Sequence, residues 1–247
     1  RLCLAGSRFQ VEIEWRDFAG HTGVGHILPL TADTGYFWFF DPANVETVVK
    51  VLDARALNQS FWVFYGALSS VEYALTVTDT QTGLSRRYVN PSGQLASAGD
   101  TKGFGPLGAS ASKTAVAKAS PLPLVAARTD TRVAIGSCVP SPGQLCLNGG
   151  RFAVTAAWKD FQGHTGTGTA VSLTADTGYF WFFAPTNVEV VTKVLDGRGL
   201  NGKFWLFYGA LSNVEYTLTV TDTETGAVRT YKNPLGQFGS VADTGAF

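Results

Sequence analysis

The residues with the clearest chemical potential lie in a decapeptide, TADTGYFWFF, that occurs twice, over residues 31–40 and 174–183. Each copy contains an Asp-Thr-Gly triplet, at Asp33–Gly35 and at Asp176–Gly178. Two carboxylates held about 3 Å apart cannot both ionise, so they share one proton and act as an acid–base pair. The doubled triplet therefore raises the hypothesis of an aspartic protease built from two lobes.

The residues around the triplet argue against this hypothesis. Aspartic proteases place a small residue after the glycine, whereas a tyrosine follows it in both copies. A third triplet at Asp243 shows how readily these letters arise in this composition, and a motif without its structural context is weak evidence. We interpret Asp33 and Thr34 as turn caps, and Gly35 as the residue that supplies the turn geometry before a strand. No other catalytic motif is present, so the sequence predicts a protein that is not an enzyme.

Candidate metal ligands are sparse. A zinc site needs three or four nitrogen or sulfur ligands, and the chain has three histidines in total. Calcium prefers oxygen ligands, and Asp17, Asp33, Glu46 and Asp53 all recur in the second copy. Their spacing does not match a known calcium loop. Solvated turn carboxylates are the simpler interpretation, and no cofactor is predicted, with calcium as the alternative.

The aromatic residues carry more information, because every Trp, Tyr and Phe of the first copy recurs in the second. Side chains alternate faces along a strand, so the run YFWFF must send rings to both sides of its sheet. A sandwich has one core, which leaves one aromatic face to be buried by other segments, to contact protein or to stack on sugar rings. The candidate contact residues are Tyr36, Trp38, Trp62, Tyr65, Tyr179, Trp181, Trp205 and Tyr208.

Strands must position these side chains, because polar and apolar residues alternate in both copies. Residues 3–104 align with residues 146–247 without a gap, so the chain is one unit written twice. Stretches such as RFQVEIEW have the period of two that is typical of a strand with one covered face. Gly83 is expected to provide the positive φ of a hairpin turn.

Short strands with regular turn signals predict an all-β protein made of two tandem immunoglobulin-like antiparallel β-sandwich domains. The first domain is predicted over 1–104 and the second over 132–247. An Ala-, Pro- and Ser-rich linker is predicted over 105–131. The second domain is expected to include a lead-in strand, TRVAIGSC, and the loop that follows it.

The cysteines indicate the compartment of the protein, and the charge balance limits the classes of partner that it can bind. Cys138 and Cys146 bracket the stretch VPSPGQL, so we predict a disulfide between them and an oxidising compartment. Cys3 holds the place of Cys146 in the first copy, and its partner is expected before residue 1, in a longer protein of which this chain is a piece.

Nineteen basic and nineteen acidic residues without a cluster exclude a nucleic-acid partner. No apolar run is long enough to span a bilayer.

Several long strings in the chain resemble a module that occurs, often in tandem, near the C-terminus of secreted and surface proteins of bacteria. The strings are CLNGGRFAVTAAWKDF, TADTGYFWFF and FYGALSNVEYTLTVTDTETG. The resemblance covers both copies almost end to end. It implies an extracellular or cell-surface location and a non-catalytic role, and it assigns no functional residue.

The sequence thus favours a structural or adhesive interaction module. Its expected partners are other copies of itself or surface proteins, joined through edge strands or aromatic faces. The alternative is a carbohydrate-binding repeat that stacks polysaccharide on exposed Tyr and Trp side chains. A third hypothesis is a protease inhibitor that inserts an exposed loop such as DFAGHTGVG into a protease cleft.

Overall fold

The computed structural model describes residues 1–105, 126–129 and 136–247, with the backbone alone for 126–129. The chain divides into two compact units, Arg1–Ser120 and Pro121–Phe247, which we call the first and second domains. Most of the predicted linker, and the predicted lead-in strand up to residue 135, lie outside the described residues.

The described residues of the first domain form ten strands and one short helix. The elements are β1 Leu2–Leu4, β2 Phe9–Arg16, β3 Thr22–Val24, β4 His26–Pro29, β5 Thr34–Trp38, β6 Thr47–Ala54, α1 Arg55–Asn58, β7 Ser60–Ala67, β8 Glu72–Asp79, β9 Ser85–Asn90 and β10 Ser97–Phe104. One antiparallel sheet, which we call the hairpin sheet, has the order β1-β2-β8-β9, with β3 paired to β2. The other, the aromatic sheet, has the order β10-β7-β6-β5-β4.

The second domain repeats this plan. Its described elements are β11 Ala126–Thr129, β12 Leu145–Leu147, β13 Phe152–Lys159, β14 Thr165–Thr167, β15 Thr169–Ser172, β16 Thr177–Trp181, β17 Val190–Asp196, α2 Arg198–Asn201, β18 Phe204–Ala210, β19 Glu215–Asp222, β20 Val228–Asn233 and β21 Ser240–Asp243. The hairpin sheet has the order β11-β20-β19-β13-β12, with β14 paired to β13, and the aromatic sheet the order β15-β16-β17-β18-β21. The prediction of two tandem all-β domains is confirmed.

One strand corrects the predicted linker. Within the range 105–131, the segment Ala126–Thr129 forms β11 and pairs with β20. Its composition resembles that of a linker, but its backbone groups complete the edge of a sheet. This part of the predicted linker therefore belongs to the second domain.

The core of each domain lies between its two sheets. In β2 the alternating residues Phe9, Val11 and Ile13 are at most 1% exposed, as their period of two predicts. The ring of Phe9 packs across the sandwich, 4.8 Å from Phe61 and 5.0 Å from Phe104, measured between ring centroids. Full burial of such a side chain contributes about 1.5–3 kcal/mol, so these contacts hold the two sheets together.

Both faces of the central strands β5, β6 and β7 of the aromatic sheet are largely buried. Phe37 and Val49 belong to the core, whereas Tyr36, Val48 and Phe64 occupy the alternate positions. These three are nevertheless only 8%, 0% and 4% exposed. Burial on both faces explains why these strands are almost continuous apolar runs, in contrast to the alternation of β2.

Candidate functional site

The four candidate tyrosines are buried. Tyr65 is 0% exposed and Tyr208 is 2% exposed, while Tyr36 and Tyr179 are each 8% exposed. Burial raises the pKa of all four hydroxyls, and that of Tyr208 reaches about 12. Tyr65 and Tyr208 belong to the cores of their domains, which corrects their assignment as contact residues.

Two of the four candidate tryptophans are held by the short helices, and all four remain partly exposed. Trp62 donates a hydrogen bond from Nε1 to Oδ1 of Asn58 at 2.9 Å, and Trp205 makes the same bond to Asn201 at 2.8 Å. Asn58 ends α1, and its amide also donates to the carbonyl of Thr101. The helix thus fixes the orientation of the indole ring at the border of the aromatic sheet.

Trp38 and Trp181 lie on the outer face of the same sheet, beside its edge strand. Trp38 stacks on the ring of His26, with 3.9 Å between centroids and an interplanar angle of 12°. Trp181 has Thr169 opposite it in the register, so this stack is not repeated. The two domains therefore present different surfaces at this position.

Each Asp-Thr-Gly triplet closes a turn. Oδ1 of Asp33 accepts hydrogen bonds from the hydroxyls of Thr31 and Thr34, at 2.6 and 2.7 Å. Asp176 accepts the same two bonds from the threonines of its own turn. The carboxylate thereby acts as a local acceptor within its domain, in agreement with the predicted turn cap.

Gly35 has a different role from the predicted one. It lies inside β5 and does not adopt a positive φ. A Cβ atom at this position would lie 2.5 Å from Cδ2 of Leu2 and 3.0 Å from the carbonyl oxygen of Leu28. Gly178 is equally crowded, 2.6 Å from side-chain atoms of Leu145. Glycine is required at these positions because β1 packs closely on Gly35 and β12 packs closely on Gly178. The turn before each strand does not itself require a glycine there.

The four calcium candidates have separate partners. Asp17 bonds the ring of His21 at 2.7 Å, and Asp53 receives two bonds from the guanidinium of Arg55, at 2.9 and 2.7 Å. The bonds from Arg55 lower the pKa of Asp53 to about 2, and the bond with His21 lowers that of Asp17. Glu46 accepts from a neighbouring asparagine amide. Within the described ranges no three His, Cys, Asp or Glu side chains are grouped to hold a metal ion.

A buried ion pair recurs in both domains and has no local sequence signal. The guanidinium of Arg8 forms two hydrogen bonds with Asp79, at 3.0 and 2.7 Å, and the Asp79 side chain is 1% exposed. Burial alone would raise the pKa of Asp79, but the interactions with Arg8 and the hydrogen bonds from the N–H of Gln81 and the side chain of Thr82 together outweigh it, and the pKa is lowered. Arg151 and Asp222 repeat the pair. In the sequence, the ion pair could have been predicted only from the fact that an arginine and an aspartate recur with the same separation in both copies.

A buried asparagine in the repeated motif Tyr-x-Asn-Pro holds a loop. The amide of Asn90 donates to the carbonyls of Val71 and Gln94, at 2.8 and 3.0 Å, and its oxygen accepts from the N–H of Ala96 at 2.7 Å. Asn233 makes the equivalent three bonds in the second domain. The asparagine thus fixes the connection from β9 to β10.

The predicted disulfide between Cys138 and Cys146 is confirmed. It closes a loop that lies against the edge strand β15, where the carbonyl of Pro142 accepts from the N–H of Ala170 at 2.7 Å. The side chain of Gln144 donates to a backbone carbonyl inside the loop at 2.9 Å. The loop therefore satisfies the outward donor of this edge.

The corresponding edge of the first domain is bordered by a groove. The groove has a volume of about 510 Å³, and Cys3, His26 and Ile27 are among the residues that line it. Cys3 is an exposed, free thiol. It holds the position of Cys146, and Ile27 holds that of Ala170.

A second groove, of about 470 Å³, lies on the outer face of the hairpin sheet of the first domain. Its lining includes Glu14, Arg16, Glu72 and Arg87. Two of these, Arg87 and Glu14, approach within 3.7 Å of each other. Because the charges balance, the groove selects neither anions nor cations by its net field.

Comparisons with protein-family models, with curated proteins and with solved structures found no match. In the described part of the chain, neither four-residue helix is long enough to cross a membrane. Among the described residues, the geometry offers open sheet edges, the four candidate tryptophans in partly exposed positions and one free thiol beside a groove.

Proposed function

We propose that this chain is a non-catalytic structural or adhesive module of a secreted or cell-surface bacterial protein, and that it joins other protein strands along the edges of its hairpin sheets. One observation carries the proposal. The segment β11, which lies outside the repeated unit, pairs antiparallel with β20, from Ala126 opposite Tyr231 to Thr129 opposite Val228. An edge that accepts an extra strand is the basis of β-strand addition, in which backbone hydrogen bonds supply the affinity.

The first domain offers the same edge. Its β9 corresponds to β20 and is the terminal strand of the hairpin sheet among the described residues. In the β8–β9 hairpin, the N–H of Asp79 donates to the carbonyl of Leu84, so the backbone groups of Leu84 face β8. Along β9 the backbone groups of successive residues then point alternately toward β8 and away from it. The N–H of Arg87 is therefore directed outward. The partner that we propose for it is a strand from another copy of this protein.

Two further features support the proposal. A disulfide such as Cys138–Cys146 persists in oxidising compartments, which favours the secreted or surface location. The candidate catalytic carboxylates Asp33 and Asp176 accept hydrogen bonds within their own turns, which favours a structural role for them. Fractionation that finds the parent protein only in the cytosol, with both of these cysteines reduced, would contradict the proposed location.

Sedimentation velocity over a concentration series tests the association. We expect the chain to associate as its concentration rises and Arg87→Pro to abolish this, because proline removes the outward N–H while an edge strand tolerates its ring. Arg87→Ala is the matched control, since it removes the same side chain but keeps the N–H. A chain that stays monomeric throughout, or association that survives Arg87→Pro, contradicts the proposal.

Carbohydrate binding is the second candidate, and the partly exposed tryptophans favour it. Stacking on a sugar ring requires an accessible indole, and Trp38 and Trp62 are partly exposed whereas the four candidate tyrosines are buried. One face of Trp38 is already stacked on His26. Titration with polysaccharides should then shift the tryptophan emission, and Trp38→Ala should weaken the response. Emission that is unmoved by every polysaccharide removes this candidate.

A further inference from the structure

We propose that each domain forms a covalent amide cross-link between two of its own side chains, a lysine and an asparagine, with a glutamate as the acid–base group. In the first domain these residues are Lys50, Asn44 and Glu46. This inference is independent of strand addition, because it concerns the outer face of the aromatic sheet. The reaction occurs once and consumes its own side chains, so it is compatible with a structural module.

Lys50 and Glu46 lie on the same face of one strand. The N–H of Glu46 donates to the carbonyl of Phe37, and its carbonyl accepts from the N–H of Leu68, both at 2.8 Å, so Glu46 continues the ladder just before β6. Side chains alternate along a strand, so Glu46, Val48 and Lys50 share the outer face. Four residues of a strand span about 13 Å, a distance that a lysine and a glutamate extended toward each other can bridge.

Both of these side chains are buried, since Lys50 and Glu46 are each only 2% exposed. Lysine and glutamate are almost never buried without a partner of opposite charge. The other buried carboxylate among the described residues of the first domain, that of Asp79, bonds to Arg8. Glu46 is therefore the carboxylate that compensates the amine of Lys50, and neither residue is without a partner.

The amide of Asn44 meets the same carboxylate. Its Nδ2 donates to Oε1 of Glu46, and its backbone N–H donates to the carbonyl of Asp41 at 2.9 Å, which fixes the turn that carries it. Two donors on one carboxylate lie on the order of 5 Å apart. A rotation of the lysine side chain therefore brings Nζ of Lys50 to Cγ of Asn44.

The surroundings of these groups exclude water and favour the neutral amine. Val45, Val48 and Leu68 are buried, and so is Phe64. The centroid of the Phe64 ring lies 5.1 Å from Nζ of Lys50. Apolar surroundings disfavour the charged forms of an amine and of a carboxylic acid, so a proton can pass from the lysine to the glutamate. The neutral amine is the nucleophile that amide formation needs.

The reaction balances without an added reagent. Glu46 takes a first proton from the ammonium, and the neutral Nζ of Lys50 attacks Cγ of Asn44. The carboxyl group of Glu46 passes that proton to the amide nitrogen of Asn44 and takes a second one from Nζ. The new C–N bond stays, and the old one breaks as ammonia leaves with its electron pair. The products are a neutral amide cross-link, ammonia and a protonated glutamate.

The second domain repeats the whole arrangement. Nδ2 of Asn187 donates to Glu189, and Glu189 and Lys193 are each 2% exposed. Nζ of Lys193 lies 5.3 Å from the ring centroid of Phe207. The three reacting residues recur at the same spacing, although the stretch between the glutamate and the lysine has changed from TVV to VVT. The set is thus retained where the strand that carries it has diverged.

Mass spectrometry of the full chain, denatured after folding, tests the proposal. After correction for the Cys138–Cys146 disulfide, we expect the intact mass to be lower than that of the sequence by two molecules of ammonia. Trypsin should also fail to cut after Lys50, because acylation removes the charge that the protease recognises. Residues 17–55 should then remain one peptide, and so should residues 160–198.

Two variants test the assigned roles, with the second domain of the same chain as the internal control. Lys50→Arg and Glu46→Gln should each reduce the deficit to one ammonia, because a guanidinium stays protonated and a carboxamide cannot take the proton. Lys102→Arg changes an exposed lysine and should keep both losses. An unmodified mass overturns the proposal, as does a deficit that either of the first two variants leaves unchanged. So does a deficit with normal cleavage after Lys50, the pattern of a succinimide at Asn44.

Discussion

Asn90→Ala is expected to destabilise the first domain by about 2–6 kcal/mol. The side chain is 0% exposed and makes three hydrogen bonds, with the carbonyls of Val71 and Gln94 and the N–H of Ala96. A buried polar group that loses its partner costs about 1–3 kcal/mol, and the substitution leaves two such groups, the carbonyl of Val71 and the N–H of Ala96. The carbonyl of Gln94 belongs to an exposed residue and can bond water instead. A domain is stable by only about 5–15 kcal/mol, so this loss removes a large part of the folding free energy.

Hydrogen exchange followed by mass spectrometry measures the effect in each domain separately. Peptides from β8 and β9 should exchange about 30-fold to 10⁴-fold faster in Asn90→Ala, because each 1.4 kcal/mol is about tenfold. Gln94→Ala is the matched control, since its side chain is exposed and only its backbone carbonyl meets Asn90. Asn233→Ala should produce the same acceleration in β19 and β20.

The reasoning is refuted if Asn90→Ala and Gln94→Ala exchange within about threefold of each other, the range of an ordinary surface substitution. It is also refuted if the acceleration in Asn90→Ala is confined to the loop between β9 and β10. Either result would mean that the three bonds contribute little to the folding of the sheet.

Three further outcomes are expected. Gly35→Ala should lower the free energy of unfolding by about 1–3 kcal/mol in urea titrations because its Cβ would strike Leu2, whereas Gly199→Ala, with nothing within 4 Å, should be neutral or stabilising. The Arg8–Asp79 pair should stabilise the domain fully above about pH 4, the ordinary pKa of an Asp side chain, and this stabilisation should be lost as the pH falls through the lowered pKa of Asp79 in the folded protein. The midpoint of urea unfolding, measured from neutral to acid pH, should therefore fall less steeply in Arg8→Met than in the unchanged chain. Asp33→Asn should cost under about 1 kcal/mol, because both threonine hydroxyls donate to the one oxygen that an amide retains, and peptide cleavage at low pH should be absent before and after the change.

Local patterns predict most of the framework. The alternation in RFQVEIEW identifies β2 and its inward face, and Gly83 has the positive φ, +73°, that its hairpin position predicts. The Pro- and Gly-bearing stretch between Cys138 and Cys146 likewise predicts the disulfide. Each of these features depends on about ten neighbouring residues, so a short stretch of the sequence is enough to predict it.

The features that local patterns miss depend on distant segments. Gly35 suits a turn by its neighbours, but Leu2 of another strand decides its role. Alternation places Tyr65 on one face of its strand without saying which face is covered. The segment Ala126–Thr129 has a linker composition, and only the free edge of β20 makes it a strand. Asn90 has two partners close in sequence, Gln94 and Ala96, but its third partner, Val71, becomes a neighbour only when β8 and β9 pair.

The two-sided enclosure of the aromatic sheet has a consequence for mutational drift since the duplication. In β2 and β13, where one face is open, the inward Phe, Val and Trp are retained and the inward Ile13 has become Ala156, while all three outward residues, Gln10, Glu12 and Glu14, have become Ala, Thr and Ala. No residue of TADTGYFWFF differs between the two copies. Seven of its ten positions are constrained by a turn hydrogen bond, by steric crowding or by burial, namely Thr31, Asp33, Thr34, Gly35, Tyr36, Phe37 and Phe39. Divergence between the copies is thus heavier on the open face of β2 than on its inward face, and most positions of the unchanged decapeptide are ones that the fold constrains.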